Sequence, residues 1–171
     1  MIELKLLELE DAKALYELVA RNKERLLRYF PITIRNNETR IATRQYLRHL
    51  KKRIIKKDLY TLGIYSNKGL IGVFFIKNID WNALKCELGY FIDKDDEGKG
   101  IMTLAFDTII DFCFEELKLE KIYVRTSVDN VGSRRLVEKK GFALEGILRN
   151  DFRIETNDLV DVAYYGKLKG E

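Results

Sequence analysis

Histidine, proline and cysteine are nearly missing from this 171-residue chain, which has one His, one Pro and two Cys. A single histidine, His49, argues against a His-based metal site or a Ser–His–Asp triad, and no metal ligand set is expected. Cys86 and Cys113 lie in apolar surroundings without metal-ligand spacing, so they read as buried free thiols in a reducing cytoplasm. No apolar run reaches the roughly 18 residues of a spanning helix, and the N-terminus alternates apolar and acidic residues, so neither a membrane span nor a secretory leader is expected. Two phosphate signatures are also lacking. There is no G-x-x-x-x-G-K-[ST] for a P-loop, and no third glycine to complete a G-x-G-x-x-G dinucleotide turn.

What is present is globular: 46% hydrophobic and 34% charged residues, over a length that suggests one domain spanning 1–171. The net charge of +4 helps attract an anionic cofactor or an RNA-rich partner without proving either.

In chain order, Ile2, Leu4 and Leu6 alternate as a first strand, and Asp11 opens a helix carrying Ala12, Leu15, Leu18 and Val19. Residues 26–37 hold the only proline, Pro31, and read as a loop or broken helix over a binding cleft. Residues 38–57 form a basic helix. Its cations fit either a nucleic-acid patch or a solvated helix face, and the absence of interleaved aromatics or a binding motif favours the face, so no DNA partner is expected. Residues 59–65 and 70–76 form a hairpin around Ser66-Asn67-Lys68-Gly69, and 86–92 add a third strand after a turn at Trp81. A helix to about Leu117, a strand over 121–128, a helix capped by Asn130 and ended by Gly141, and a final antiparallel pair (142–153 and 159–168) complete one mixed α/β sheet.

The decisive stretch is Glu97-Gly98-Lys99-Gly100-Ile101-Met102-Thr103. It lies between the apolar run Leu88–Ile92 and a helical pattern, giving strand, glycine turn, helix. The glycines let an anion approach the backbone, and the helix start adds unpaired N–H groups and a positive dipole end. A plain strand-to-helix turn fits these residues alone equally well.

Two longer segments, "ELGYFIDKDDEGKGIMTLA" from Glu87 and "SVDNVGSRRLVEKKGFALEGILR" from Ser127, resemble the GNAT superfamily of acetyl-CoA-dependent N-acetyltransferases. The likeness is to the branch that acetylates the N-termini of ribosomal proteins. It covers nearly the whole chain, and "DLVDVAYYGKL" resembles that branch's last strand. The resemblance implies a single, mostly antiparallel mixed sheet flanked by helices, in which two parallel strands, here 87–92 and 122–128, splay into a V. It implies that pantetheine pairs with backbone at Phe91, Ile92 and Asp93. The pyrophosphate then rests on amides of Gly98, Lys99, Gly100, Ile101, Met102 and Thr103, and Asn130 and Ser133 flank the CoA arm. The implied cofactor is acetyl-CoA, with CoA as product. Two departures stand out. Asp95 occupies a position that is often Gln or Arg in the family, and Val137 replaces a tyrosine that many members use as proton donor.

For the chemistry, Ser133 is by analogy the candidate to protonate the leaving thiolate. Glu87, beside the cleft strand, is the candidate base, acting directly or through water; a Glu on the solvated sheet face is the alternative. An α-amine titrates near 7.7–8.0, so a base has little to do; a lysine near 10.4 needs far more help. Tyr90, Tyr164 and Tyr165 are expected in the core and His49 on the surface. The expected acceptor is therefore a protein N-terminus, in direct attack within a ternary complex. A small amine acceptor (polyamine, amino sugar or antibiotic) and a non-catalytic acyl-CoA-binding protein are the alternatives, and a homodimer is compatible with the sequence.

Overall fold

A computed structural model describes residues 2–171. The elements are β1 (Glu3–Leu6), α1 (Ala12–Arg21), α2 (Lys23–Tyr29), α3 (Pro31–Asn36), α4 (Arg40–Ile55), β2 (Tyr60–Ser66), β3 (Gly69–Asp80), β4 (Lys85–Ile92), α5 (Ile101–Asp111), β5 (Lys121–Ser127), α6 (Val131–Lys139), β6 (Ala143–Arg153) and β7 (Leu159–Leu168). A π-helical turn, Phe112–Glu116, continues α5. The seven strands form one sheet in the order β1-β2-β3-β4-β5-β7-β6. Only β4 and β5 run parallel. The expected meander, parallel pair and final hairpin are all present. The stretch read as a loop or broken helix is two short helices, split where Phe30 leaves helical geometry ahead of Pro31.

The sheet is covered on both faces, and the strand period explains how. In β3, Phe74 and Ile76 face one core, with Phe106 and Ile109 of α5 and Val137 of α6. Val73 and Phe75 face the other, with Leu15 and Leu18 of α1 and Leu47 and Leu50 of α4. A strand buried on both sides needs a continuous apolar run, which is what Leu70–Ile76 supplies. Cys86 and Cys113 are buried and free, as expected. Trp81, at the β3–β4 turn, donates its indole N–H to the carbonyl of Lys57 at 2.9 Å, tying that turn to the chain just beyond α4.

Phe106 is the hub of the first core. Its ring meets Phe74, Tyr90 and Phe142 edge-on, with centroids at 5.0, 4.7 and 6.0 Å. Phe106→Ala should cost about 3–5 kcal/mol of stability. Urea unfolding checks this as a lower midpoint at unchanged slope.

Candidate active site

β4 and β5 pair over only four positions: Lys85 with Lys121, Cys86 with Ile122, Glu87 with Tyr123 and Leu88 with Val124. Beyond these, β4 runs on to Ile92 and β5 to Ser127 without partnering each other. The V-shaped opening is this divergence. It leads into a cleft of about 970 Å³ bounded by α2, the glycine loop and the start of α6.

The glycine loop forms one lip. Both Gly98 and Gly100 have left-handed backbones, with φ of +70° and +76°, and a Cβ on either would meet no protein atom within 4 Å. They are therefore glycine because of backbone conformation, and the space beside them is open. Among the described residues, the amides from Gly98 through Thr103 have no protein acceptor; the next, Leu104, closes the first α5 turn on Gly100 at 3.2 Å. Five of these six residues line the cleft; Lys99 does not.

Lys99 instead turns back to the acidic run. It bonds the Asp95 carbonyl, and its Nζ lies 2.8 Å from Asp96 Oδ1, which Lys68 also holds at 2.9 Å. Glu97 pairs with Arg25 at 2.8 Å. Asp96 and Glu97 are thus paired within the protein, while among the described residues the Asp95 carboxylate has no ion-pair partner.

Of the three residues expected along the β4 backbone, Phe91 and Ile92 line the cleft and Asp93 does not. The Asp93 amide is committed to the Ile71 carbonyl at 2.7 Å, and its buried carboxylate is held by Arg21. Burial pushes that carboxyl's pKa up, but the Arg21 guanidinium and the Asp95 amide more than offset this and hold it below the usual range.

Asn130 caps α6, accepting from the Ser133 amide at 3.2 Å. The Ser133 hydroxyl sits 2.7 Å from the Tyr90 hydroxyl. Tyr90 is both core and cleft: its ring packs on Phe74 and Phe106 while its oxygen reaches Ser133. Burial raises the Tyr90 phenol well above its ordinary value, against a smaller lowering by Ser133, so the proton stays on the phenol. The sequence pointed to Ser133 but not to its partner.

Glu87 is buried, with 4% exposure, so the solvated-face alternative is wrong. Its two oxygens are held separately, by Asn78 Nδ2 at 2.7 Å and by Lys77 Nζ at 3.2 Å. Neighbouring strand residues normally face opposite ways. A register shift in β3 after Lys77, with Asn78 at φ +50°, lets both reach one carboxylate.

A second feature was not legible: α2 bridges the two lips. Arg25 reaches the Ile92 carbonyl (3.2 Å) and Glu97 on one side. Arg28 (2.5 Å) and the Tyr29 hydroxyl (3.1 Å) reach Asp129 on the other, where Ser127 also donates. The helical spacing of residues 25, 28 and 29 puts them on one face, which is the available sequence signal; their partners are remote in sequence, Ile92 and Glu97 for Arg25 and Asp129 for Arg28 and Tyr29.

A model of the Acetyltransferase (GNAT) domain matches residues 2–143. The chain belongs to this family of acetyltransferases. Over 170 residues the GNAT chain is 31% identical to YdaF of Bacillus subtilis, which carries the name of a ribosomal N-acetyltransferase; the match covers 99% of this chain and 92% of the relative. It is 28% identical over 170 residues to the ribosomal-protein-serine acetyltransferase of Escherichia coli, covering 98% and 92%. The fold also matches a solved ribosomal L7/L12 α-N-protein acetyltransferase in complex with coenzyme A, with a TM-score of 0.90 at 21% identity over 98% and 93% of the two chains. The N-acetyltransferase reading of the sequence and its splayed α/β sheet are both borne out.

Asp96 supplies a pH test of the loop. Hydrogen bonds from Lys99 and then Lys68 hold its carboxyl below the ordinary value. A depressed carboxylate contributes stability that is fully present above its unfolded pKa, about 3.9, and is lost as the pH falls through the folded value. Asp96→Asn should therefore flatten the acid side of the stability profile, measured by urea unfolding between about pH 2.5 and 6, while lowering stability at neutral pH.

Proposed function

We propose that this GNAT chain transfers an acetyl group from acetyl-CoA to the N-terminal α-amine of a ribosomal protein. The observation that carries the donor half is the row of unpartnered amides from Gly98 to Thr103 at the mouth of the parting strands. A diphosphate fits there: the amides lack acceptors, no Cβ stands in the way and α5 adds its positive end. Amide contacts to charged oxygen contribute about 1.5–3 kcal/mol each, so a few suffice for micromolar affinity, about 8 kcal/mol. Phe91 and Ile92 line the channel for the pantetheine arm, with Asn130 and Ser133 on the opposite wall.

When bound, acetyl-CoA supplies an activated acetyl thioester and a thiol leaving group. The protein's part is placement and proton handling. Ser133 Oγ gives a proton to the departing sulfur and recovers one from cleft water, while the Tyr90 hydroxyl, which keeps its own proton, holds the Ser133 side chain in place. Glu87 accepts from Lys77 and Asn78, and a carboxylate retains further lone pairs beyond those two bonds. It takes the amine proton through water, an easy task for an α-amine that is partly neutral at pH 7. Support for the acceptor comes from the relatives named for ribosomal proteins.

Thiol release from acetyl-CoA, followed by mass spectrometry of the acceptor, tests both halves. Peptides bearing ribosomal-protein N-termini should be acetylated at the α-amine. Turnover on polyamines alone would overturn the acceptor, and bound CoA without acetyl release across the amine panel would favour the non-catalytic alternative. Ser133→Ala should lower kcat by about 10–100-fold, the low end of general-acid effects because a thiol is a good leaving group. Tyr90→Phe should lower it less, since Ser133 keeps its own hydroxyl. Gly100→Ala, which places a methyl where the diphosphate lies, should raise the KM for acetyl-CoA about tenfold with a smaller change in kcat, as expected for one lost amide contact.

A further inference from the structure

The exposed face of α4 carries a charge pattern that acetyl transfer does not use. From Arg35 to Lys57 the chain has nine Lys/Arg and one carboxylate, Glu38, a net of +8 in a protein whose total is +4. The remaining residues are therefore net −4, and the molecule is electrically polar.

The arrangement is regular. Arg40, Arg44, Arg48, Lys52 and Lys56 recur at every fourth residue, and all five are exposed. At 1.5 Å per residue they form a row about 24 Å long. Arg40 lies 3.6 Å from Glu17. Among the described residues, no carboxylate comes within ion-pair distance of Arg44, Arg48, Lys52 or Lys56; the one other ion pair on this helix, Arg53 with Asp58, lies off the row. The row works against the helix. Like charges four apart repel, and cations in the first turns oppose the dipole; only Lys52 and Lys56, at the far end, are favoured by it. Solvation alone does not call for this arrangement, since alternating charges would be equally soluble and more stable.

We propose that this face of α4 docks the phosphate backbone of RNA. Regularly spaced, mostly unpaired cations complement a polyanion, whose binding is driven by release of its counterions. A protein partner is disfavoured because interfaces between proteins are built around a desolvated apolar centre, and here the side chains beside the middle of the row are Gln45 and His49. A membrane is disfavoured because the exposed apolar residues, Ile41 and Ile55, stand near opposite ends with no apolar face between them. The choice of RNA over DNA rests on the proposed acceptor, since ribosomal proteins are held among RNA.

Fluorescence anisotropy with a labelled 20-nucleotide RNA, with CoA at saturation so that the cleft is filled, tests this. Binding should weaken linearly on a log–log salt plot with a slope of about −3, as four or five neutralised phosphates on a single strand require. Arg44→Glu/Arg48→Glu/Lys52→Glu should abolish it, and the milder triple Gln variant should lower affinity at least about tenfold at 0.1 M salt and reduce the slope by about 2. Reversing three cations elsewhere, Lys13, Lys23 and Lys118, should cost far less at equal net charge. Acetylation of short peptides should be the same in the α4 variants, so loss of RNA binding and loss of the acetyl-transfer reading are separate results. No binding, a flat salt response, equal loss in the control variant, or equal or tighter binding to poly-glutamate or anionic vesicles would each overturn the proposal.

Discussion

The structure depends on one interruption: β4 and β5 stop pairing after Leu88 and Val124. The other neighbouring strands keep pairing past local register shifts, as β3 with β4 and β6 with β7 do. Here two central strands separate and leave room between them. Backbone polar groups in the middle of a protein demand partners, so such a gap is stable only where a ligand, water or side chain can enter. Arg25, bonding the Ile92 carbonyl, is one such side chain. The helices that follow the two strands begin at this same end, which adds the loop amides on one side and the Asn130 cap on the other. The cleft is thus a property of the sheet, and the side chains refine it.

Stability and chemistry share residues. Tyr90 fills the core between Phe74 and Phe106 while its hydroxyl holds Ser133. Glu87 is a buried charge that persists because Lys77 and Asn78 satisfy it, and they reach it because β3 slips register beneath it. Both groups are fixed by packing, which favours defined proton positions over mobility. The α2 contacts to Glu97, Ile92 and Asp129 act differently. They are made largely by exposed or half-exposed ion pairs, individually weak, and so can yield when the opening is entered.

Much of this was readable from the chain. The strands, the meander and the final hairpin followed from period-two alternation and turn residues, because apolar patterning determines which face of a strand is buried; the parallel pair came from the resemblance carried by the two motif segments. The glycine turn before α5 and the Asn130 cap were legible because glycine conformation and helix capping are local properties; Ser133 was singled out by the resemblance. What escaped were long-range side-chain choices. Nothing at Asp93 announces Arg21 as its partner, and nothing at Lys99 says that it turns to Asp96. Glu87 reads equally as a surface or a buried residue until the irregularity in β3 is seen. Tyr90 was assigned to the core, which holds for its ring but leaves out its hydroxyl, which meets Ser133. The α2 bridge pairs residues far apart in sequence, as Arg25 with Glu97 and Arg28 with Asp129, a relation that no spacing rule contains.

The indole of Trp81, bonded to the Lys57 carbonyl just beyond α4 and 40% exposed, has a practical consequence. As the sole tryptophan, it makes the protein's intrinsic fluorescence a spatially restricted signal, drawn from the seam between the β3–β4 turn and the basic helix, on the part of the molecule that the cleft does not line. Emission changes therefore distinguish events at that seam from events among the tyrosines at the opening, with no dye or label attached.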